Sequence, residues 1–282
     1  MIKIVLAYVF VATAWPAVAQ QTVAIQPTVP GLLNRLKSAT WTERSNAFGE
    51  ATKLLGSGTA SASDIDQVRV GVIQLLIKEN NGGLKEPDTE IPQRSSNATV
   101  DESYGEDKSE YYAGLVGFVA DLNDERTIPA LLGAASTGNI ATRAIARFGK
   151  AALGPTLSQV KSQDSDLASG ALFVIREMLQ MHTASDSDSQ LQIKNALILA
   201  LASPAYRVRK NALLPIEYLD NREEFVPVLQ DIAEHDPYKL TYSLGAPGNK
   251  ENDQFVIRHR AQMLLRKIAN HEAPSIDRGI SR

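Results

Sequence analysis

The chain has 282 residues, 22% of them charged, with a formal net charge of −3 and no cysteine. The missing cysteine excludes disulfides, thiol nucleophiles, thiolate metal sites and a lipid anchor of the lipoprotein kind. The weak acidity argues against nucleic acid or an anionic membrane as the main partner.

Residues 1–19 read as a signal peptide. Lys3 supplies a positive start, Ile4 to Trp15 is an almost unbroken apolar run, and Pro16-Ala17-Val18-Ala19 ends in a small-x-small pattern. Cleavage is expected before Gln20, which takes Lys+Arg from 29 to 28 against 32 acids, a net charge of −4. The apolar run is short for a bilayer span and no later segment reaches that length, so no membrane insertion is expected after cleavage. The expected location is periplasmic or extracellular. Residues 20–30, with prolines and threonines, form an extended lead-in.

Residues 31–79 hold the N-terminal helices. Thr40-Trp41-Thr42-Glu43 has the spacing of a capping box, and Ala47, Ala51, Leu54 and Leu55 follow at helical intervals up to Gly56. Ser61 or Ser63 starts the next helix, striped by Ile65, Val68, Val72, Leu75 and Leu76. Residues 80–108 break the pattern: they are polar, contain Gly82-Gly83, Pro87 and Pro92, and read as an insertion or loop. Helical spacing resumes at Tyr112, Leu115, Val116 and Val119. Two short stripes then follow, Ile128, Leu131, Leu132, Ala135 and Ala141, Ala144, Ile145, Phe148. A hairpin this small cannot bury its stripe alone and needs neighbours stacked on both sides. Later stripes are Ala168, Ala171, Leu172, Ile175, then Ile193, Ala196, Leu197, Ala200, Leu201. Ser203-Pro204 looks like an N-cap followed by a first-turn proline, and Val208, Ala212, Ile216 and Leu219 continue a helix that Pro215 should kink. Ile257, Ala261, Leu264, Leu265 and Ile268 mark the last helix, and 273–282 is a tail. No strand alternation is evident, so the fold class is all-α.

Internal repetition points to stacking. Leu122-Asn123-Asp124…Ile128-Pro129-Ala130-Leu131 returns as Leu219-Asp220-Asn221…Val226-Pro227-Val228-Leu229. Arg143-Ala144, Val208-Arg209…Ala212 and Ile257-Arg258…Ala261 each place an arginine early in the following helix, with Arg44-Ser45-Asn46-Ala47 as a fainter echo. In series, these motifs resemble HEAT-like repeats over roughly residues 109–272, particularly the short variety first named from phycobilin lyases. The resemblance implies a right-handed α-α superhelix of antiparallel helix pairs that binds proteins, without implying lyase activity. It also implies a structural role for Arg143, Arg209 and Arg258, each tied to an acid in an adjacent turn, with Asp124, Asp164 and Asp220 as candidates.

Residues of chemical interest are sparse. His182, His235, His259 and His271 show no paired spacing for a metal. Asp186-Ser187-Asp188 resembles the start of a calcium loop but lacks the glycine and distal glutamate. Neither a serine-nucleophile motif nor a phosphate loop is evident, and Asn97-Ala98-Thr99 is a formal glycosylation sequon. No catalytic residue, cofactor or metal is therefore expected. Two loops are the candidate contact regions for a partner, with Tyr104 in 80–108 and Tyr238, Tyr242 and Leu244 in 236–253. Tyrosine offers large contact area at small entropic cost, and the equal alternative is that these tyrosines pack down onto the helices to anchor the loops. The functional expectation is an exported, non-enzymatic protein-binding or scaffolding module with another protein as partner. The alternatives are a subunit holding a small molecule in its groove, lyase-like, or an envelope protein touching carbohydrate.

Overall fold

The computed structural model describes residues 28–85, 100–242 and 252–272. The expected signal peptide, most of the lead-in, the middle of the 80–108 segment, Leu244 and the tail lie outside them. Twelve α-helices occur among the described residues: α1 (Val29–Arg35), α2 (Trp41–Gly56), α3 (Ala62–Asn80), α4 (Val100–Asp121), α5 (Ile128–Ala134), α6 (Asn139–Arg147), α7 (Lys150–Val160), α8 (Ser165–Gln180), α9 (Ser187–Leu201), α10 (Tyr206–Ile216), α11 (Val226–His235) and α12 (Val256–Ala269). A two-stranded antiparallel ribbon, β1 (Leu240–Tyr242) with β2 (Asn252–Gln254), sits between the last two helices and pairs Thr241 with Asp253. The sequence showed no sign of it, because three-residue strands are too short for an alternation to register.

The helices form two layers. In one, α4, α6, α8, α10 and α12 are successive neighbours; in the other, α3, α5, α7 and α9 are. Consecutive helices cross between layers, α5 onto α6, α7 onto α8, α9 onto α10 and α11 onto α12. This is an all-α stack of antiparallel pairs, in which each short hairpin buries its stripe only against its neighbours. The predicted stripes do face inward: Leu131, Ala144, Ile145, Leu172, Ile175, Leu197, Ala212 and Ile257 are all fully buried or nearly so. The even layer extends to α2 through aromatic rings, with Phe48 edge-on to Tyr111 and Phe118 at centroid distances of 6.2 and 5.6 Å.

Helix boundaries follow local chemistry. Ser61 caps α3 by accepting from the Asp64 N–H at 3.1 Å, and Asp164 and Asp186 cap α8 and α9 in the same way. Asp186 is thus a helix cap, and the Ser189 hydroxyl and N–H that it accepts from hold its carboxyl below the usual range. Three expectations are corrected. Thr40 precedes α2 without a side-chain capping bond, and Glu43 pairs with Arg35 instead of closing a capping box. Helix α4 starts at Val100, so Tyr104 belongs to a helix; its first turns are polar all round, which hides them from a hydrophobic-period test. Helix α10 begins at Tyr206 and stops just after Pro215, instead of running kinked to Leu219. The proline lacks the N–H for the next helical bond, and the chain leaves through tighter bonds from Tyr218 and Leu219 to the carbonyls of Pro215 and Ile216.

Candidate docking site

Two of the arginines, Arg209 and Arg44, join one layer to the other. Arg209, in the first turn of α10, forms a bidentate pair with Asp236 at the end of α11, Nε to Oδ2 at 2.7 Å and Nη2 to Oδ1 at 3.3 Å. Its Nη1 donates to the carbonyls of Ser203 and Pro204 at 2.9 and 3.0 Å. Arg44 repeats this arrangement in α2. Its Nε and Nη2 reach the two carboxylate oxygens of Glu79 at the end of α3, at 2.7 and 3.1 Å. Its Nη1 donates to the carbonyls of Ser38 and Ala39 at 2.9 and 2.8 Å. A further bond runs from Nη2 to the Gly83 carbonyl at 3.0 Å, and the Tyr111 hydroxyl donates to Glu79 at 2.9 Å.

Both clamps therefore join the first turn of an even helix to the end of the next odd helix and to the turn six residues before the arginine. In each, a serine hydroxyl at the start of that turn accepts from the N–H two residues on, Ser38 from Thr40 at 3.3 Å and Ser203 from Ala205 at 3.2 Å. That bond folds the chain so that two carbonyls face the guanidinium. The sequence carries the pattern twice, Ser38…Trp41…Arg44…Ala47 and Ser203…Tyr206…Arg209…Ala212, each three residues apart. Arg44 is the more deeply placed, since both it and Glu79 have side chains of 0% exposure.

The acids foreseen for these arginines are not the ones that bind them. Asp124 caps a 3-10 turn and pairs with Arg126, while Asp220 accepts from Gln190. Asp164 caps α8. Arg143 lies 3.6 Å from Glu177 with its side chain 57% exposed, so it is a surface cation and not a clamp. Arg258 donates to the Asp236 carbonyl at 2.7 Å and stacks over the Phe255 ring, which joins α12 to the second clamp. Tyr238 lies flat on Tyr206, ring centroids 3.9 Å apart and 4° from parallel, with its N–H on Asp236 at 2.9 Å. Of the four expected contact residues it anchors the ribbon to α10. Tyr242 is in β1 and Tyr104 in α4, so both lie in regular elements where loops were expected.

Polar side chains also tie helices to their neighbours within each layer. The even layer is linked by Arg207 of α10 to Asp166 of α8 at 2.8 Å, Gln180 of α8 to the Tyr218 hydroxyl beyond α10 at 2.6 Å, and Lys267 of α12 to Glu217 at 2.7 Å. The odd layer is tied by amides, with Asn80 donating to the Ala130 carbonyl at 2.7 Å and Gln159 to that of Leu132 at 2.9 Å.

No protein-family model matches the chain, and no curated protein does. Solved structures that match the chain include engineered proteins. Computationally designed armadillo repeat proteins made for modular peptide recognition share 15% identity, with 85% of this chain and 99% of theirs covered at a TM-score of 0.36. Two other engineered proteins, 16% and 14% identical, cover 87% and 86% of this chain and 98% of their own, also at 0.36. Scores this low carry no argument. The assignment to a helical-repeat stack rests on the helix order, the two layers and the duplicated arginine clamp.

Among the described residues the histidines stand apart. His182 and His271 occupy left-handed turn positions, φ 55° and 51°, just after α8 and α12, and His235 bonds Asp231 at 3.0 Å. No helix of the described residues is long and apolar enough to cross a membrane.

Proposed function

We propose that the chain is an exported, non-enzymatic module that binds or scaffolds another protein along the free face of its even layer. The observation that supports this most is the construction of that face. Side chains of α8, α10 and α12 are linked helix to helix across it, which presents a stiff, polar, extended surface and lowers the entropic cost of docking. Export is supported by the leader-like residues 1–19, and a protein partner in the periplasm or outside the cell follows from it. The repeat motifs, similar to the short HEAT variety of phycobilin lyases, support a binding role and leave lyase chemistry aside.

The test is crosslinking capture from envelope extract with mature residues 20–282, beside a variant lacking Leu240 to Gly248. Recovery of one protein by both chains, or by the intact chain alone, fits the reading, and the difference assigns the contact edge. A folded chain that captures nothing contradicts it and moves a small molecule in the groove to first place.

A further inference from the structure

At the C-terminal end of the even layer, cations outnumber acids although the whole chain is acidic. Arg143 and Arg176 flank Glu177, Arg176 at 3.4 Å from it, and Lys267 bonds Glu217. Both carboxylates of this strip are therefore already engaged. Lys210, His259, Arg260 and Lys267 line a cleft of about 250 Å³ together with one acid, Glu217, which Lys267 already engages. Val256 and Leu264 are its apolar lining, with Met263, 46% exposed, among them. The Arg260 guanidinium is half-buried between α10 and α12 and donates no hydrogen bond among the described residues. A guanidinium partly withdrawn from water gains more from a carboxylate partner than a fully exposed one does. Burial, with Arg176 nearby, holds the Arg260 pKa below the ordinary value even though Glu217 pulls the other way. The arrangement is the inverse of the clamps, where every arginine nitrogen that faces inward has an acceptor.

We propose that this cleft takes a short acidic segment of a protein partner, its carboxylates on Arg260 and Lys210 and an apolar side chain on Met263. The proposal rests on the protein-binding reading above and names the chemistry of the segment bound. A guanidinium and a carboxylate pair bidentately, and a partly dry cleft strengthens that pair over one in open water. The apolar lining and the two interspersed glutamates suit a peptide with spaced carboxylates better than a dense polyanion. The chain's net negative charge repels a dense polyanion more strongly at long range than it repels a short segment with few carboxylates.

The test measures anisotropy of a fluorescein-labelled Glu- and Leu-rich peptide against mature residues 20–282, with the Gln-for-Glu peptide and labelled heparin in parallel. The acidic peptide binds, the Gln peptide does not, and Arg260→Gln and Lys210→Gln each weaken binding about tenfold or more. Arg260→Lys retains part of it. Lys161→Gln, an exposed cation at the end of α7, leaves it unchanged. Melting temperatures separate binding from folding: Arg260→Gln melts close to the parent temperature, because it breaks no hydrogen bond among the described residues. No acidic-peptide binding at roughly 1 mM, a millimolar limit being the weakest useful affinity, overturns the inference, as does equal binding by Arg260→Gln. Tighter heparin binding with the same dependence on Arg260 overturns the peptide in favour of a sulfated glycan. If envelope proteins crosslink to the chain while the acidic peptide fails, the binding-module reading stands and this inference alone falls.

Discussion

Replacing Arg44 by methionine tests the clamp geometry most severely. The substitution keeps the aliphatic volume and removes the guanidinium, so Glu79 retains only Tyr111 of its observed donors. The Ser38, Ala39 and Gly83 carbonyls lose their bonds from Arg44 as well, although Lys78 still donates to Ser38 at 3.0 Å. Breaking one side of a fully buried ion pair costs about 3–5 kcal/mol, because the remaining charge stays in a poorly solvating interior. For a cooperative unit of this size each kcal/mol corresponds to about 2–4 °C, so the melting temperature falls by roughly 6–20 °C. The assay is denaturant and thermal unfolding followed by far-ultraviolet circular dichroism, run as a double-mutant cycle with Glu79→Leu. The double variant should be more stable than Arg44→Met alone, since it removes the stranded carboxylate along with its partner. A loss below about 1 kcal/mol for Arg44→Met, a value typical of exposed pairs, refutes the reasoning.

Further outcomes follow from the structure, and the last from the sequence. Asp236→Ala frees Arg209 from its bidentate partner and removes the acceptor of the Tyr238 N–H, so it costs about 2–4 kcal/mol by loss of a nearly buried pair, read by urea unfolding. Gly170→Ala in α8 drives a methyl to 2.8 Å from the Ser136 backbone nitrogen and destabilises by about 1–3 kcal/mol, whereas Gly114→Ala in α4, where nothing lies within 4 Å, stabilises by up to about 1 kcal/mol. Burial, with Glu79 beside it, pushes the Tyr111 hydroxyl well above its ordinary value of 10.0. An acid whose folded pKa is raised lends stability in full below the unfolded pKa and loses it as pH rises from there through the folded value. Above pH 10 the Tyr111→Phe variant should therefore lose stability less steeply than the parent, measured by unfolding across alkaline pH. Finally, the chain recovered from outside the cytoplasm should begin at Gln20 by intact mass, and a start at Met1 would contradict the leader reading.

The helical stack was legible because each short helix repeats one apolar stripe, and Val68, Leu131, Leu172 and Ala212 went inward as the spacing required. Polar structure was less legible. Asp236 lies 27 residues from Arg209 and Glu79 lies 35 from Arg44, so each partner is set by how one helix pair closes. Asp124 and Asp220 occupy the conspicuous acidic turns, but their oxygens serve local caps and neighbours. The signal that could have found the clamps is the serine–aromatic–arginine–alanine spacing shared by Ser38 and Ser203, which has a mechanism in the serine-folded turn. The candidate docking cleft has no local signature, because Lys210 and Arg260 meet only when α10 packs beside α12. The early start of α4 escaped for the opposite reason: Asp101 to Lys108 has helix-forming residues but no apolar period to read.

Face-resolved photocrosslinking of the exported chain in living cells tests the central claim most directly. A photoreactive residue is placed in turn at Ile140 and Met263 on the even layer and at Leu191 and Ile198 on the odd layer, all of them exposed. Adducts of discrete mass at Met263, weaker ones at Ile140 and none at Leu191 or Ile198 are the predicted result. Adducts confined to the odd layer, or none from any position in a folded, exported chain, would contradict the account.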